Sequence, residues 1–543
     1  MFSFLLYTLF LWPSYAVALL VYRLYFHPLA AFPGRKLAAA TRWYEFYFDC
    51  IKGDGGQYMW EVERMHEEYG PIIRVTPNEI KIKDIEYYDS LYSTSQPRDK
   101  YGPSAKMSGT PLSGKHPPIK HRRTPVCSHT HRGGTPQDAG KTDTPSHEIA
   151  FGTEPHALHK IRRAPLNPFF SKRAVAALQP RIEEIIDDLC NGLRGCMQRN
   201  EVVELRPAFL SLAIDVVFRY SFGYSLGALK KPDFSPQWND AIEGTAEAAP
   251  LTKQMSGIVQ YLQKLPLPII RFLHPNLGRL LGLRQVLRQQ IASIIRLYDN
   301  GVLPAKDGSS SERTIFHAVM ESDLPASEKT EERLTDEAFA FIGAGTETTK
   351  QTLNAAFYYL LTSPEKLARL REELARAMPD PAVCPPLHVL EGAGYLSAVV
   401  KETLRITTSV TSRLPLVAPT QELKYGRWNI PAGTPVSMDF RSTLLSPAHF
   451  PDPLTFAPDR WLVPADKPDR YLVPFSRGTR GCLGQNLALA EITLAIACLF
   501  RRFDFALHGT DARAVNVTRD RFAAGLDRGS RGTRVRVLRE FAG

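Results

Sequence analysis

The chain has 543 residues, a formal charge of +11 and seven cysteines. Cysteines without regular spacing exclude a disulfide framework and a paired-cysteine zinc module. No aromatic-basic module points to nucleic acid, no flavin or nicotinamide fingerprint has a convincing context, and the positive excess suits anionic lipid or an acidic electron-transfer partner as well as an ordinary solvated surface.

In chain order, residues 1–22 carry no charged side chain and are rich in Leu, Phe, Tyr and Val, enough for one helix across a hydrocarbon core. They read as a membrane anchor kinked at Pro13, since neither a basic start nor a small-residue cleavage site marks a removable signal. Arg23, Arg35, Lys36 and Arg42 follow, and by the positive-inside rule they place the rest of the chain in the cytosol. Residues 23–36 form a basic hinge with a Phe32-Pro33-Gly34 turn, and 37–543 form one domain. Two β-like runs, 72–75 and 79–82, flank Pro77-Asn78, whereas 174–193, 280–297 and 364–378 have helical spacing.

Residues 108–150 interrupt this pattern. They lack aromatics and concentrate Pro, Gly, Ser, Thr and His, the composition of a disordered insertion. His116, His121, Cys127, His129 and His131 are metal-ligand types there, but without paired spacing they read as solvated side chains.

Three later segments carry chemistry. A helical run begins near Leu334 with Thr335 as its cap and holds Ala344-Gly345-Thr346-Glu347-Thr348-Thr349. Small residues leave room there, and a threonine hydroxyl can bond back to a carbonyl one turn earlier, loosening the helix. A hydroxyl beside an acid is a suitable proton relay. Glu402 and Arg405 sit three apart in an apolar periodic run from Leu396 to Ile406, so they share a helix face, and Arg460 can join them because guanidinium planes clamp a carboxylate. Phe475-Ser-Arg-Gly-Thr-Arg-Gly-Cys482-Leu-Gly484 surrounds one cysteine with glycines that let backbone turn about the sulfur. An isolated Cys-x-Gly is usually a turn holding a free thiol, but the full spacing suits a thiolate held against heme iron.

The last segment resembles the heme-binding signature of cytochrome P450 monooxygenases, F-x-x-G-x-R-x-C-x-G, at every defined position. Glu402-Thr-Leu-Arg405 resembles the family's E-x-x-R, and the Ala344–Thr349 run its oxygen-binding groove. The opening Tyr-Arg-Leu-Tyr-Phe-His-Pro-Leu, residues 37–48 and the segment from Arg162 to Ser171 are similar to fungal microsomal members, trichodiene oxygenase among them. The resemblance implies a mainly α fold with small β-sheets (α+β), heme b, electrons from NADPH through a separate cytochrome P450 reductase, O2, and an endoplasmic reticulum location. It implies Cys482 as the iron's axial ligand, with Phe475, Gly478 and Gly484 around it; Arg480 and Arg163 at the propionates; Thr348 and Glu347 in oxygen and proton handling; and Glu402, Arg405 and Arg460 as a structural network. Relatives carry Trp-x-x-x-Arg where this chain has His159 and Arg163, so His159 takes the tryptophan's donor role. Many also place a basic side chain near position 416, where Leu416 stands, and the third propionate contact stays unassigned. The expected reaction is hydroxylation or epoxidation of a lipophilic metabolite, terpenoid or polyketide-derived. The alternatives are a heme-thiolate isomerase or dehydratase, which needs no reductase and which the acid-alcohol pair disfavours, and a non-catalytic heme sensor.

Overall fold

The computed structural model describes residues 2–102, 149–255, 268, 270, 275–302, 313–463 and 468–541. The insertion expected at 108–150 and its five metal-type side chains lie outside the described residues, except at the end. There Ile149 and Ala150 are buried, so the core resumes before the expected boundary.

Helix α1 (Phe2–Val21) contains Pro13 and exposes Leu11, Trp12, Tyr15 and Val17. Among the described residues no helix is long and apolar enough to cross a membrane. The segment expected as a hinge packs on the domain: Leu29 and Phe32 are buried, Phe32 stacks on Trp428 at 4.8 Å, and Arg74 donates to the Arg23 carbonyl at 2.8 Å. Helix α2 (Tyr58–Tyr69) then leads into a hairpin, β1 (Ile72–Thr76) and β2 (Glu79–Ile82), with Pro77-Asn78 at the turn as the alternation predicts. A short strand, β3 (Asp99–Lys100), precedes the undescribed stretch.

The helical body begins with α3 (His156–Arg163) and α4 (Lys172–Gln198), followed by β4 (Val203–Glu204) and α5 (Leu205–Phe222). Nearly every residue of α5 is buried, the pattern of a helix apolar all round. Next come α6 (Pro236–Gln254), α7 (Pro275–Asp299), α8 (Ile315–Glu321) and α9 (Glu331–Leu361). The expected cap of α9 is corrected here. Thr330, not Thr335, accepts the Arg333 N–H, while Thr335 is buried inside the helix with its hydroxyl donated to the Glu331 carbonyl at 2.6 Å. Glu331 and Glu332 in the first turn favour this earlier start, because acids there meet the positive end of the helix dipole.

After α9 come α10 (Pro364–Ala377), α11 (Leu387–Gly392), α12 (Gly394–Thr407), β5 (Leu416–Val417), β6 (Leu423–Tyr425), β7 (Trp428–Ile430) and β8 (Pro435–Ser437). The chain finishes with α13 (Gln485–Arg502), β9 (Phe503–Leu507), β10 (Val517–Arg521), β11 (Ala523–Leu526) and β12 (Arg534–Glu540). Among the described residues there are four small sheets, the largest in the order β1-β2-β8-β5-β3. This is the mixed, helix-rich class expected. Helix α9 is the axis, packed along α5 and α7 on one side and α12 and α13 on another. Its Gly345 has a packing reason: a Cβ there would come within 2.9 Å of Val217 on α5, so the glycine lets two central helices approach.

Candidate active site

Glu402 and Arg405 lie on α12 and are wholly buried. Arg405 clamps the carboxylate through two N–H groups, each at 2.8 Å. Arg460 donates to the same carboxylate at 3.2 Å, Trp461 at 3.0 Å and the Ala457 amide at 2.8 Å, while the far side of Arg405 meets the carbonyls of Leu444 and Pro453. Both Glu402 oxygens accept, and the outer N–H groups of the two arginines meet carbonyls, the satisfaction that lets an ion pair be buried without a large penalty. The cluster ties α12 to the chain leading into the cysteine loop.

That loop is under backbone constraint. Ser476 has φ +58°, a left-handed conformation uncommon for a non-glycine residue, and Gly478 has φ +72°. A Cβ on Gly478 would collide with the carbonyl oxygens of Tyr92 and Ser93, so the glycine is required twice over. Gly484 differs: its φ is −86° and no heavy atom lies within 4 Å of where its Cβ would be, so the turn itself does not demand glycine there. The Cys482 amide donates to the Phe475 carbonyl at 2.8 Å, closing the loop, and the Phe475 ring packs against the main core. The Cys482 side chain is exposed, yet burial raises its thiol pKa, opposed by the Gly484 amide hydrogen bond and by Arg163. The two observations agree if the sulfur faces an interior cleft rather than bulk water. Leu483 beside it packs on the cluster that includes Phe339 and Ile342 of α9.

On α9 itself, Ala344 is exposed and Ala340, Phe341, Gly343, Gly345 and Thr348 are partly exposed, while Ile342, Thr346, Glu347, Thr349 and Lys350 are buried. At three- and four-residue spacing, Phe341, Ala344, Gly345 and Thr348 share one accessible face. Thr348 donates its hydroxyl to the Ala344 carbonyl at 2.9 Å and Thr346 to Ile342 at 2.7 Å, the back-bonding expected from the threonines. Glu347 is buried off this face. Its carboxylate accepts from Lys350 at 2.6 Å and Gln351 at 2.7 Å. Burial would raise its pKa, but the Lys350 charge holds it below the ordinary value.

The other sequence-derived residues converge beside the cysteine loop. Arg480 donates to the carbonyls of Arg98, Thr153 and Glu154, at 3.1, 2.7 and 2.7 Å. Arg163 donates to Gly481 O at 2.6 Å and to Asn167 at 3.0 Å. His159 is buried, and burial together with Arg480, Arg163 and Lys100 pushes its pKa down to about 3. Burial also lowers Arg480 to about 10, with Arg163 adding to it against Asp99.

Sequence reasoning missed Lys100. It is buried, its ammonium donates to the Phe151 carbonyl at 2.7 Å, and burial and Arg480 hold its pKa well below the ordinary value. In the sheet Lys100 lies directly across from Leu416, the position where a basic side chain was sought. The signal was therefore in the pairing of two strands more than 300 residues apart, which no local pattern reveals. Lys100, Arg163, Arg480 and His159 are nitrogen donors gathered without a carboxylate clamp such as Glu402 provides. Such a donor set fits a dianionic group held beside the Cys482 loop, and the two propionates of heme have that charge.

Residues 129–523 match the family model for cytochrome P450. Curated fungal proteins match almost end to end. A cytochrome P450 monooxygenase, sdnE, of Sordaria araneosa is 37% identical over 97% of this chain and 96% of its own. Tryptophan 6-hydroxylase fscE of Fusarium equiseti is 37% identical over 96% and 95%, and conidiogenone synthase PchP450 of Penicillium rubens 34% over 97% of each.

Proposed function

The chain belongs to the cytochrome P450 family as one of its monooxygenases, and from that premise we propose that it hydroxylates or epoxidises a lipophilic secondary metabolite of terpenoid or polyketide origin. O2 is the oxidant, and electrons come from NADPH through a separate reductase. The observation that carries this reading is the cation cluster of Lys100, His159, Arg163 and Arg480 gathered at the constrained loop that holds Cys482, with Arg163 donating to the Gly481 carbonyl. Cys482 would hold the heme iron, and Lys100, His159, Arg163 and Arg480 its propionates. When bound, a heme with a thiolate ligand activates oxygen, the ligand's electron density favouring O–O cleavage.

The chain's own residues do the rest. The Gly484 amide tunes the sulfur, since a hydrogen bond to a thiolate tempers its basicity. Thr348 presents a hydroxyl on the accessible face of α9 and can pass protons. Glu347, one residue earlier, takes up protons from the buried polar network and hands them on. An apolar substrate is supported by Phe151 and Phe522, whose rings meet edge to face at 6.1 Å. Phe522 sits in the β10–β11 turn, next to Ala524, whose carbonyl takes a hydrogen bond from Gln351 of α9; Phe151 adjoins Lys100. The pair thus joins the segment that holds Lys100 to a strand turn bonded to α9.

Attachment to the endoplasmic reticulum membrane with a cytosolic domain is part of the same reading. It is supported by the uncharged run before Arg23 and by the exposed aromatic and aliphatic side chains of α1. Fractionation of a chain lacking residues 1–22 tests it: the truncated protein leaves the membrane pellet. The central test is Cys482→Ala, which removes the thiolate-type spectrum of the reduced carbon monoxide complex; retention of that spectrum would show another ligand. Product analysis after gene deletion identifies the substrate.

A further inference from the structure

Helix α6 carries Asn239, Glu243 and Glu247 at four-residue spacing on one face, with Asn239 buried, Glu243 partly buried and Glu247 exposed. Glu247 pairs with Arg519 at 2.9 Å and Arg521 at 2.7 Å on β10. Glu243 pairs with Arg206 of α5 at 2.6 Å and with Lys350 of α9 at 3.0 Å. Lys350 is fully buried, and its three ammonium hydrogens have three acceptors: Glu347 at 2.6 Å, Glu243 at 3.0 Å and Asn239 at 3.1 Å. Two of the three belong to α6. One cation is therefore shared between the acid beside Thr348 and an acid on a different helix.

Sharing changes what Glu347 can do. With α6 docked, Glu243 draws part of the Lys350 charge and repels the Glu347 carboxylate, which raises the proton affinity of Glu347. With Glu243 withdrawn, Lys350 would rest on Glu347 alone and hold it as a bare carboxylate, a poor carrier for protons. Glu243 itself is kept ionised, about 2 against its burial, by Lys350 and Arg206, so it acts as a fixed charge.

We propose that Glu243 and Lys350 are positioning residues that couple the docking of α6 to proton supply through Glu347, so that the Thr348 turn receives protons efficiently only while α6 is seated. This rests on the assignment of Glu347 and Thr348 made above.

The test uses the full-length holoenzyme with reductase and NADPH and no added substrate, measuring the fraction of consumed NADPH recovered as hydrogen peroxide rather than water. Glu243→Gln keeps an acceptor for Lys350 and Arg206 but loses the charge. It should leave heme content and the reduced carbon monoxide spectrum unchanged and raise the peroxide fraction several-fold, and Glu243→Asp should return it toward wild type. Asn239→Ala, which removes one acceptor and no charge, should move it the same way by less, and it decides the matter if Glu243→Gln does not fold. Glu347→Gln is the reference. If it raises the peroxide fraction while Glu243→Gln and Asn239→Ala do not, the coupling is wrong and the role of Glu347 stands. If Glu347→Gln itself changes nothing, the underlying assignment fails and the proposal with it. An equal rise in Glu243→Asp and Glu243→Gln would assign the effect to shape and overturn the charge argument.

Discussion

Glu402 on α12 and Arg480 beside the cysteine loop each anchor a buried charged cluster, and the two clusters close differently. Around Glu402, a carboxylate meets two guanidiniums, an indole and a backbone amide, and the remaining N–H groups of Arg405 meet carbonyls. Around Arg480, an arginine pair and a lysine donate to backbone carbonyls beside the buried His159, and Asp99, the nearby acid, is engaged by the His156 amide at 2.7 Å. A closed cluster needs nothing further and serves the fold. An open cluster of like charge is destabilising by itself and is justified by an anionic guest.

The sharpest way to break this contrast is to unbalance the closed cluster. Glu402→Gln strands Arg405 in a fully buried site, and removing one partner of such a pair costs about 3–5 kcal/mol, a large share of a typical domain's stability. We expect little folded holoprotein, read as loss of heme content and a sharply lowered Tm.

Unbalancing the open cluster should do the opposite to the polypeptide and weaken only its hold on the guest. Lys100→Met removes a buried, strained cation. It should leave the thermal stability of heme-free protein unchanged or higher while accelerating heme loss to a scavenger globin about tenfold, the worth of one charge-assisted hydrogen bond. A fall in heme-free stability would show that Lys100 belongs with the structural cluster instead.

Thr348→Ala touches neither cluster. The variant should retain heme and its spectrum, and should divert NADPH electrons to peroxide several-fold more than wild type, because proton delivery is impaired while the iron ligand is intact. An unchanged peroxide fraction would remove Thr348 from the mechanism.

The smallest effect concerns acid. His159 in the folded heme-free chain titrates near 3 against an ordinary 6.5, so between those values the unfolded chain binds a proton that the folded one refuses. Its neutrality contributes stability that is present above pH 6.5 and lost as pH falls toward 3. His159→Gln should therefore flatten the loss of stability of the heme-free protein over that interval, measured by denaturant titration at several pH values. The same slope in both proteins would show that His159 keeps water contact.

Much of the site was legible because its parts are local. The back-bonding of Thr348 spans one helical turn and the Glu402–Arg405 clamp three residues, so helix periodicity alone puts those atoms together. The two hairpin strands and the helix at 364–378 were likewise found within a residue or so, since alternation and spacing are written in consecutive positions. The cap of α9 was misread by five positions and its start by three, because both Thr330 and Thr335 are cap-type residues and the acids at 331 and 332 were not weighed.

What the sequence by itself determined, then, is the order of the motifs and a glycine-rich loop able to turn about Cys482, which closes through the short-range bond from the Cys482 amide to the Phe475 carbonyl. What only the tertiary structure decided is which distant charges meet. Lys100 reaches the Arg480 cluster because β3 pairs with β5 across more than 300 residues, and Glu243 shares Lys350 with Glu347 because α6 packs over α9. A charge acts over several ångströms through space with no regard for distance along the chain, so partners brought together by packing leave no periodic trace in the sequence.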